Sequence, residues 1–171
     1  RYWGTPIPVW ICEKFGTEHC VGSVDEMSTM KTETSPNPPE LHRPYVDEVR
    51  LYCPSEGCSG EMVREPYVMD CWFDSGCASF AQWHYPFENE DRFAGSFPVD
   101  YICEAVDQTR GWFYSLLAVA TTVFDQQCFN SCLSLGHILD KDGKKMSKSR
   151  GNVVDPWDHF NKEGADSIRW Y

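Results

Sequence analysis

Val99-Asp100-Tyr101-Ile102-Cys103 opens the stretch whose reading decides the fold. Its β-branched and aromatic residues predict a strand. A short turn then leads into a helix expected from about Gln108 to Phe124. There Phe113, Leu116, Leu117, Ala120 and Phe124 fall on one face, with Trp112, Val119 and Val123 on its flank. So broad an apolar surface predicts a helix packed on a sheet. Cys132 to Leu139 reads as another strand, followed by the cationic loop Gly143-Lys144-Lys145-Met146-Ser147-Lys148-Ser149-Arg150-Gly151-Asn152. Strand, helix, strand and loop make the βαβ pattern of a parallel sheet, in a fold of the α/β class. Upstream, Tyr67 to Phe73 reads as a strand that ends in the loop Asp74-Ser75-Gly76. Downstream, Asp155-Pro156 has the order of an N-cap and first-turn proline for a final helical segment.

Composition narrows the function classes. The 171 residues, 42% hydrophobic and 15% aromatic, suffice for a packed core. No apolar run is long enough to span a bilayer, and no secretory signal opens the sequence. The net charge of −11 argues against a free-standing nucleic-acid binder, which needs clustered Lys and Arg. Both ends read as cut, so a segment of a longer protein is expected.

Ligands of an open parallel sheet sit beyond the carboxyl ends of its strands. Three polar clusters fall there: Trp72 to Gly76, Glu104 to Arg110, and the cationic loop. Four cationic side chains between two glycines, in an acidic chain, call for an anionic client. Glu104 and Asp107 could accept hydrogen bonds from an ammonium or ribose hydroxyls, and Gln108 suits a carboxylate or amide edge. The plainer role for both carboxylates is helix capping. Trp112, beside Gly111, and Trp72 could wall an apolar slot suited to a branched aliphatic group.

Several motifs together resemble the class I aminoacyl-tRNA synthetases and, within them, the isoleucyl-tRNA synthetases. Lys145-Met146-Ser147-Lys148-Ser149 is similar to the KMSKS signature of that class. The order Arg1-Tyr2-Trp3-Gly4-Thr5-Pro6-Ile7-Pro8, Leu41-His42-Arg43-Pro44-Tyr45-Val46-Asp47, Trp72-Phe73-Asp74-Ser75-Gly76 and Asp107-Gln108-Thr109-Arg110-Gly111-Trp112-Phe113 points to the isoleucyl type. The valine and leucine enzymes carry different text in the last of these.

The resemblance implies the C-terminal half of a Rossmann-type nucleotide-binding domain with a small zinc-ribbon-like insertion. The expected division is a core strand at 1–11, the insertion at 12–66, the catalytic half with the KMSKS loop at 67–152, and a following helical region at 153–171. It implies ATP and Mg2+, isoleucine and tRNA(Ile) as clients of a cytoplasmic, monomeric, membrane-free ligase. Lys145 and Lys148 would act on the leaving phosphates, with Ser147 beside them at ATP. Glu104, Asp107, Gln108, Trp72 and Trp112 would hold the aminoacyl-adenylate. Ala105 stands where many relatives have glycine, and Ser134-Leu135-Gly136-His137 departs from the His-Gly-Phe text of some, so His137 reads as structural. One missing methylene is worth only about 1–3 kcal/mol, a limit long associated with isoleucyl enzymes themselves. The family meets it with an editing domain which, like its first ATP signature, would lie upstream. Residues 1–171 by themselves are therefore expected to be inactive.

Nine cysteines are many for this length, and metal ligation or burial is expected before disulfides. Cys53-Pro54-Ser55-Glu56-Gly57-Cys58 looks like a metal knuckle, and Cys12 with Cys20 could complete a set of four for Zn2+. Phe15 occupies the second cysteine position of the family's Cys-x-x-Cys pair, which leaves Cys20 or His19 to substitute. The region from Cys12 to about Arg64 reads as too polar and broken for a core of its own, hence in need of such a staple. Three other readings compete: a valyl-type class I synthetase, a zinc-ribbon module binding nucleic acid, and a thiol oxidoreductase. Acids around the cysteines disfavour the second, and the lack of a Cys-x-x-Cys at a helix start disfavours the third.

Overall fold

The computed structural model describes residues 4–36 and 40–170. Trp3 of the expected first strand and Pro38 and Pro39 of the expected loop lie outside the described residues.

Strand β1 (Val9–Cys12) is paired on both edges, with β2 (Glu18–Cys20) on one side and β4 (Glu61–Arg64) on the other. β4 also pairs with β3 (Leu51–Tyr52), so the antiparallel order is β2-β1-β4-β3. The expected core strand within 1–11 is thus a central strand of the cysteine module. Register explains why. Trp10 lies opposite Arg64 and Cys12 opposite Met62, and all four side chains point to one buried face.

The module also has the core that its sequence seemed to lack. Trp10, Val21, Met27, Val46, Val49, Leu51 and Met62 pack together with Cys12 and Cys53. Most come from β1, β3, β4, the helix α1 (Val24–Met30) and the 3-10 turn Tyr45–Glu48, while Val21, Val49 and Cys53 follow directly on β2, that turn and β3. Trp10 Nε1 donates to Val49 O at 2.9 Å, which satisfies the indole inside that core. Ser23 caps α1 by accepting from Glu26 N at 3.1 Å.

Arg64 joins the module to its flanks. Its side chain is 1% exposed; Nε donates to Asp47 Oδ1 at 2.8 Å, and Nη2 also bonds Asp47. Nη1 donates to Ile7 O and Tyr67 O, each at 3.1 Å, beside the isolated bridge between Pro6 and Val68. Burial pushes the Asp47 carboxyl up, but Arg64 and Arg43 outweigh it and hold it below its ordinary value.

Of the strand expected over Tyr67 to Phe73 only Val68 pairs, in the isolated bridge to Pro6, and helix α2 (Cys71–Gly76) takes over from Cys71. Asp70 is its N-cap, with Oδ1 accepting from Trp72 N at 2.7 Å. A short apolar run fits a strand or a helix equally, and here the aspartate cap decides. Two short helices follow, α3 (Ala78–Ala81) and α4 (Glu90–Ser96). Phe93 stacks on Tyr85 and Phe97 with ring centroids 4.1 and 4.8 Å apart, and Phe124 joins the same cluster.

The expected parallel unit is present. β5 (Val99–Ala105) and β6 (Phe129–Leu135) pair in parallel from Val99↔Phe129 to Ala105↔Leu135. Helix α5 (Trp112–Phe124) connects them and buries Phe113, Leu116 and Ala120 against Ile102 and Cys128. Two boundaries shift from expectation. The helix is preceded by a 3-10 turn, Val106–Arg110, because Gly111 leaves helical geometry at φ −141° and ψ −113°. β6 begins three residues earlier than Cys132 and ends at Leu135. Beyond it lie the cationic loop and helices α6 (Pro156–Glu163) and α7 (Ala165–Trp170), with Asp155 capping α6 as expected. Among the described residues no helix is long and apolar enough to cross a membrane.

Candidate functional site

β5 and β6 run in parallel, so their carboxyl ends lie side by side and open toward one rim. A cavity of about 860 Å3 lies at that rim. Its lining includes Glu104 and Ala105 from β5, Leu135 to Leu139 leaving β6, and Phe160 of α6. Glu104 is exposed there, and His137 also lines the space.

The turn after β5 carries Asp107 and Gln108. Asp107 is exposed, whereas Gln108 Oε1 accepts from Trp112 N at 2.9 Å and so caps α5. Capping at this helix therefore falls to Gln108, not to a carboxylate. Trp112 Nε1 donates to Ser75 O at 3.0 Å, which ties α5 to α2. The two helices approach closely: a Cβ on Gly76 would come within 2.8 Å of Ser115 O. At Gly111 a Cβ would meet Gln108 Oε1 at 2.7 Å and Trp72 Cη2 at 3.1 Å, so a larger residue would push the Gln108 cap and the Trp72 ring aside.

The two tryptophans meet across the α2–α5 contact but line different spaces. Trp72 borders a cavity of about 360 Å3 with Asp70, Arg110 and Tyr114. Trp112 borders a second of about 190 Å3 with Ser79, Ile102 and Cys128.

The cationic loop leaves the large cavity through Ile138 and Leu139. Leu139 bridges to Lys145, closing a tight hairpin around Gly143 at φ +72°. Lys145 and Lys148 are exposed, and Lys148 lies in a single 3-10 turn, Lys148–Arg150. Neither lysine lines the cavity, and among the described residues neither forms an ion pair. Ser147 and Met146 are half-buried. Ser147 Oγ lies 3.2 Å from Ser149 Oγ, while Ser147 N donates to Asn152 Oδ1 at 2.9 Å.

Sequence reasoning overlooked Asp140, whose two oxygens accept from Asp142 N, Lys144 N and Asn152 Nδ2. Those bonds, Asn152's first, hold its carboxyl below its ordinary value, with Arg150 adding to the effect. The available signal was an aspartate three residues before a glycine, a usual sign of a side-chain-closed turn.

In the antiparallel module, Cys12, Cys53 and Cys58 place their sulfurs within 4.8 Å of one another. Cys20 is exposed and outside this group, so the four-cysteine set is corrected to three. On β2 its strand partner is Val9, and alternation turns it away from buried Cys12. His19 lies outside the group as well, its Nε2 paired with Glu26 Oε1 at 2.9 Å. The trio could supply three of the four ligands of a tetrahedral metal. Thiolates at about 2.3 Å from a tetrahedral zinc would sit about 3.8 Å apart, and Cys12 and Cys58 are 3.7 Å apart. Phe15 N and Gly60 N donate to Cys12 and Cys58 sulfurs at 3.3 and 3.4 Å. The Ser55 hydroxyl and backbone N–H bring the Cys53 thiol down to about 7, and desolvation pushes that of Cys58 up.

Comparison with known proteins bears on all three regions. The family model described as tRNA synthetases class I (I, L, M and V) matches residues 1–171. The chain is 56% identical over 171 residues to an isoleucine–tRNA ligase of Clostridium acetobutylicum, and 56% identical to that of Clostridium novyi. It is 52% identical over 171 residues to that of Thermus thermophilus. All of the chain is covered each time, yet it spans only 16% of these relatives' length. A crystal structure of an Agrobacterium radiobacter LeuRS, in a ternary complex with tRNA and LeuAMS, superposes with a TM-score of 0.63. That match has 23% identity, covers 99% of this chain and 22% of the other, and supports the fold alone.

Proposed function

Because the chain belongs to the class I tRNA synthetase family, we propose that it forms part of the catalytic region of an isoleucine–tRNA ligase. The reaction is ATP-dependent activation of isoleucine, then transfer of the aminoacyl group to tRNA(Ile). The observation that carries this reading is whole-length identity of 52–56% to isoleucine–tRNA ligases, in a chain with a cavity at its parallel-strand rim.

In the first step the isoleucine carboxylate attacks the α-phosphate in line, forming the adenylate and expelling pyrophosphate. Negative charge gathers on the leaving phosphates, so mobile cations that reach them lower the barrier more than they tighten the ground state. Lys148 and Lys145, exposed and without ion-pair partners among the described residues, are suited to that task. Ser147 can hydrogen-bond the nucleotide beside them. Mg2+ carried on the triphosphate spreads its charge. Glu104 at the cavity and Asp107 beyond it supply carboxylates for the isoleucine ammonium or the ribose hydroxyls, and Gln108 adds an amide. Trp72 and Trp112, which line separate cavities on the two sides of the α2–α5 contact, each offer an indole face to the sec-butyl group.

Zn2+ is assigned to Cys12, Cys53 and Cys58, where it would stabilise the module and take no part in the chemistry.

The test is ATP–pyrophosphate exchange by the full-length protein. Exchange should be faster with isoleucine than with valine or leucine, and Lys148→Ala should slow it by roughly 100- to 1,000-fold. Faster exchange with valine would overturn the amino-acid assignment. Unchanged kinetics in Lys148→Ala would overturn the role of the loop.

A further inference from the structure

The cationic loop is held at its base by one carboxylate. Asp140 Oδ1 accepts from Lys144 N at 2.8 Å and from Asp142 N at 3.0 Å. Its Oδ2 accepts from Asn152 Nδ2 at 2.6 Å, across twelve residues of chain. Asn152 then faces inward: its Oδ1 accepts from Ser147 N at 2.9 Å, and Nδ2 also reaches Lys145 O at 3.3 Å. The backbone completes the knot, with Asp140 N donating to Lys144 O and Gly143 N to Asp140 O, both at 2.9 Å. Two side chains thus fix the residues on either side of Met146 and leave the Lys145 and Lys148 ammonium groups free.

Charge gives the arrangement a second purpose. Lys141, Lys144, Lys145, Lys148 and Arg150 repel one another in a short loop. A carboxylate at the loop's base offsets that repulsion without pairing with any of the lysine side chains.

We propose that Asp140, acting through Asn152, is a positioning residue that holds the lysine loop in the shape from which Lys145 and Lys148 reach triphosphate. This rests on the reading of the loop as the ATP-contacting element. Asp140 touches no reacting atom; it sets where the cations start. An error of about 1 Å in such placement can cost about 100-fold in rate.

The experiment uses the full-length protein and isoleucine-dependent ATP–pyrophosphate exchange. Asp140→Ala should lower kcat/KM for ATP by about 10- to 100-fold, with KM for isoleucine within about twofold of wild type. Asp140→Asn sets two amide NH2 groups against each other and should also be impaired. The exchanged pair Asp140→Asn with Asn152→Asp restores a donor opposite an acceptor at this contact, loses the Asn152 bond to Lys145 O, and should recover at least about fivefold over Asp140→Asn. Wild-type ATP kinetics in Asp140→Ala would overturn the proposal, as would a failure of the exchanged pair to recover any activity.

Hydrogen exchange at the amides of Lys144 and Ser147 gives a readout that does not depend on turnover. Both should exchange faster in Asp140→Ala than in wild type; equal exchange would overturn the clamp. Lys148→Ala, run in parallel, separates the two ideas. If it leaves ATP kinetics intact, the loop's role fails. If it is impaired while Asp140→Ala is not, only the clamp fails.

Discussion

The cysteine module and the parallel-strand unit solve the same problem in opposite ways. In the module, β1 and β4 are paired on both edges and one face is sealed by Leu51, Met62, Val49 and Trp10. In the parallel unit only one face is covered. Ile102 points toward α5, whereas Tyr101 is 66% exposed and Leu133 and Leu135 stand open on the other side. Parallel sheets are ordinarily buried on both faces, so the open face of this two-stranded unit marks where further parts of a longer sheet would pack. The module carries a core of its own, and no residue of the candidate adenylate site lies in it.

That contrast can be broken by experiment, beginning with an all-or-none effect. Metal analysis should find one zinc per chain in the wild type and in Cys20→Ser, and none in Cys53→Ser. Equal zinc in all three would remove the thiolate centre. Next, Trp10→Ala should destabilise the module by about 4 kcal/mol, from the cavity it leaves and the lost bond to Val49. Amide exchange over β1 and β4 would show it.

Asp47→Asn should cost about 3 kcal/mol, because it leaves the Arg64 guanidinium buried without its counter-charge. The Asp47 carboxyl is held low in the fold, so its stabilising contribution is present above its unfolded value. That contribution fades as pH falls through the lower folded one. Acid unfolding of the module, followed below about pH 4, should therefore be less steep in Asp47→Asn.

Leu116→Ala, in the half-covered core, should cost about 2–3 kcal/mol by thermal or urea unfolding. The smallest effect belongs to the open face, where Leu133→Thr should stay within about 0.5 kcal/mol of wild type. A larger loss would mean that this face is not as open as it stands.

The same contrast explains what the sequence disclosed. The parallel unit was legible because each signal is local: a strand composition at Val99–Cys103, a helical stripe through Phe113, Leu116 and Ala120, then a second strand. The module's core was hidden because Trp10, Met27, Val46, Leu51 and Met62 lie far apart and form no periodic run. Strand register gathers Trp10, Leu51 and Met62, and the packing of α1 and the 3-10 turn adds Met27 and Val46. The helix over Cys71–Gly76 was missed because its apolar run has no preferred period, and a single aspartate cap settles it. The thiolate set was legible by residue type for Cys12, Cys53 and Cys58. Cys20 misled because spacing cannot show which side of a strand a thiol faces. Asp140 lay outside every motif and was visible only as a turn former.

The Gln108 side chain holds one last consequence. A backbone N–H accepts nothing, so the atom facing Trp112 N must be the amide oxygen, and the orientation of this amide is settled by chemistry. What Gln108 turns outward is then its NH2 group, a donor. A carbonyl or carboxylate brought to this turn would find that donor, whereas a second N–H would have to share Oε1 with Trp112 N.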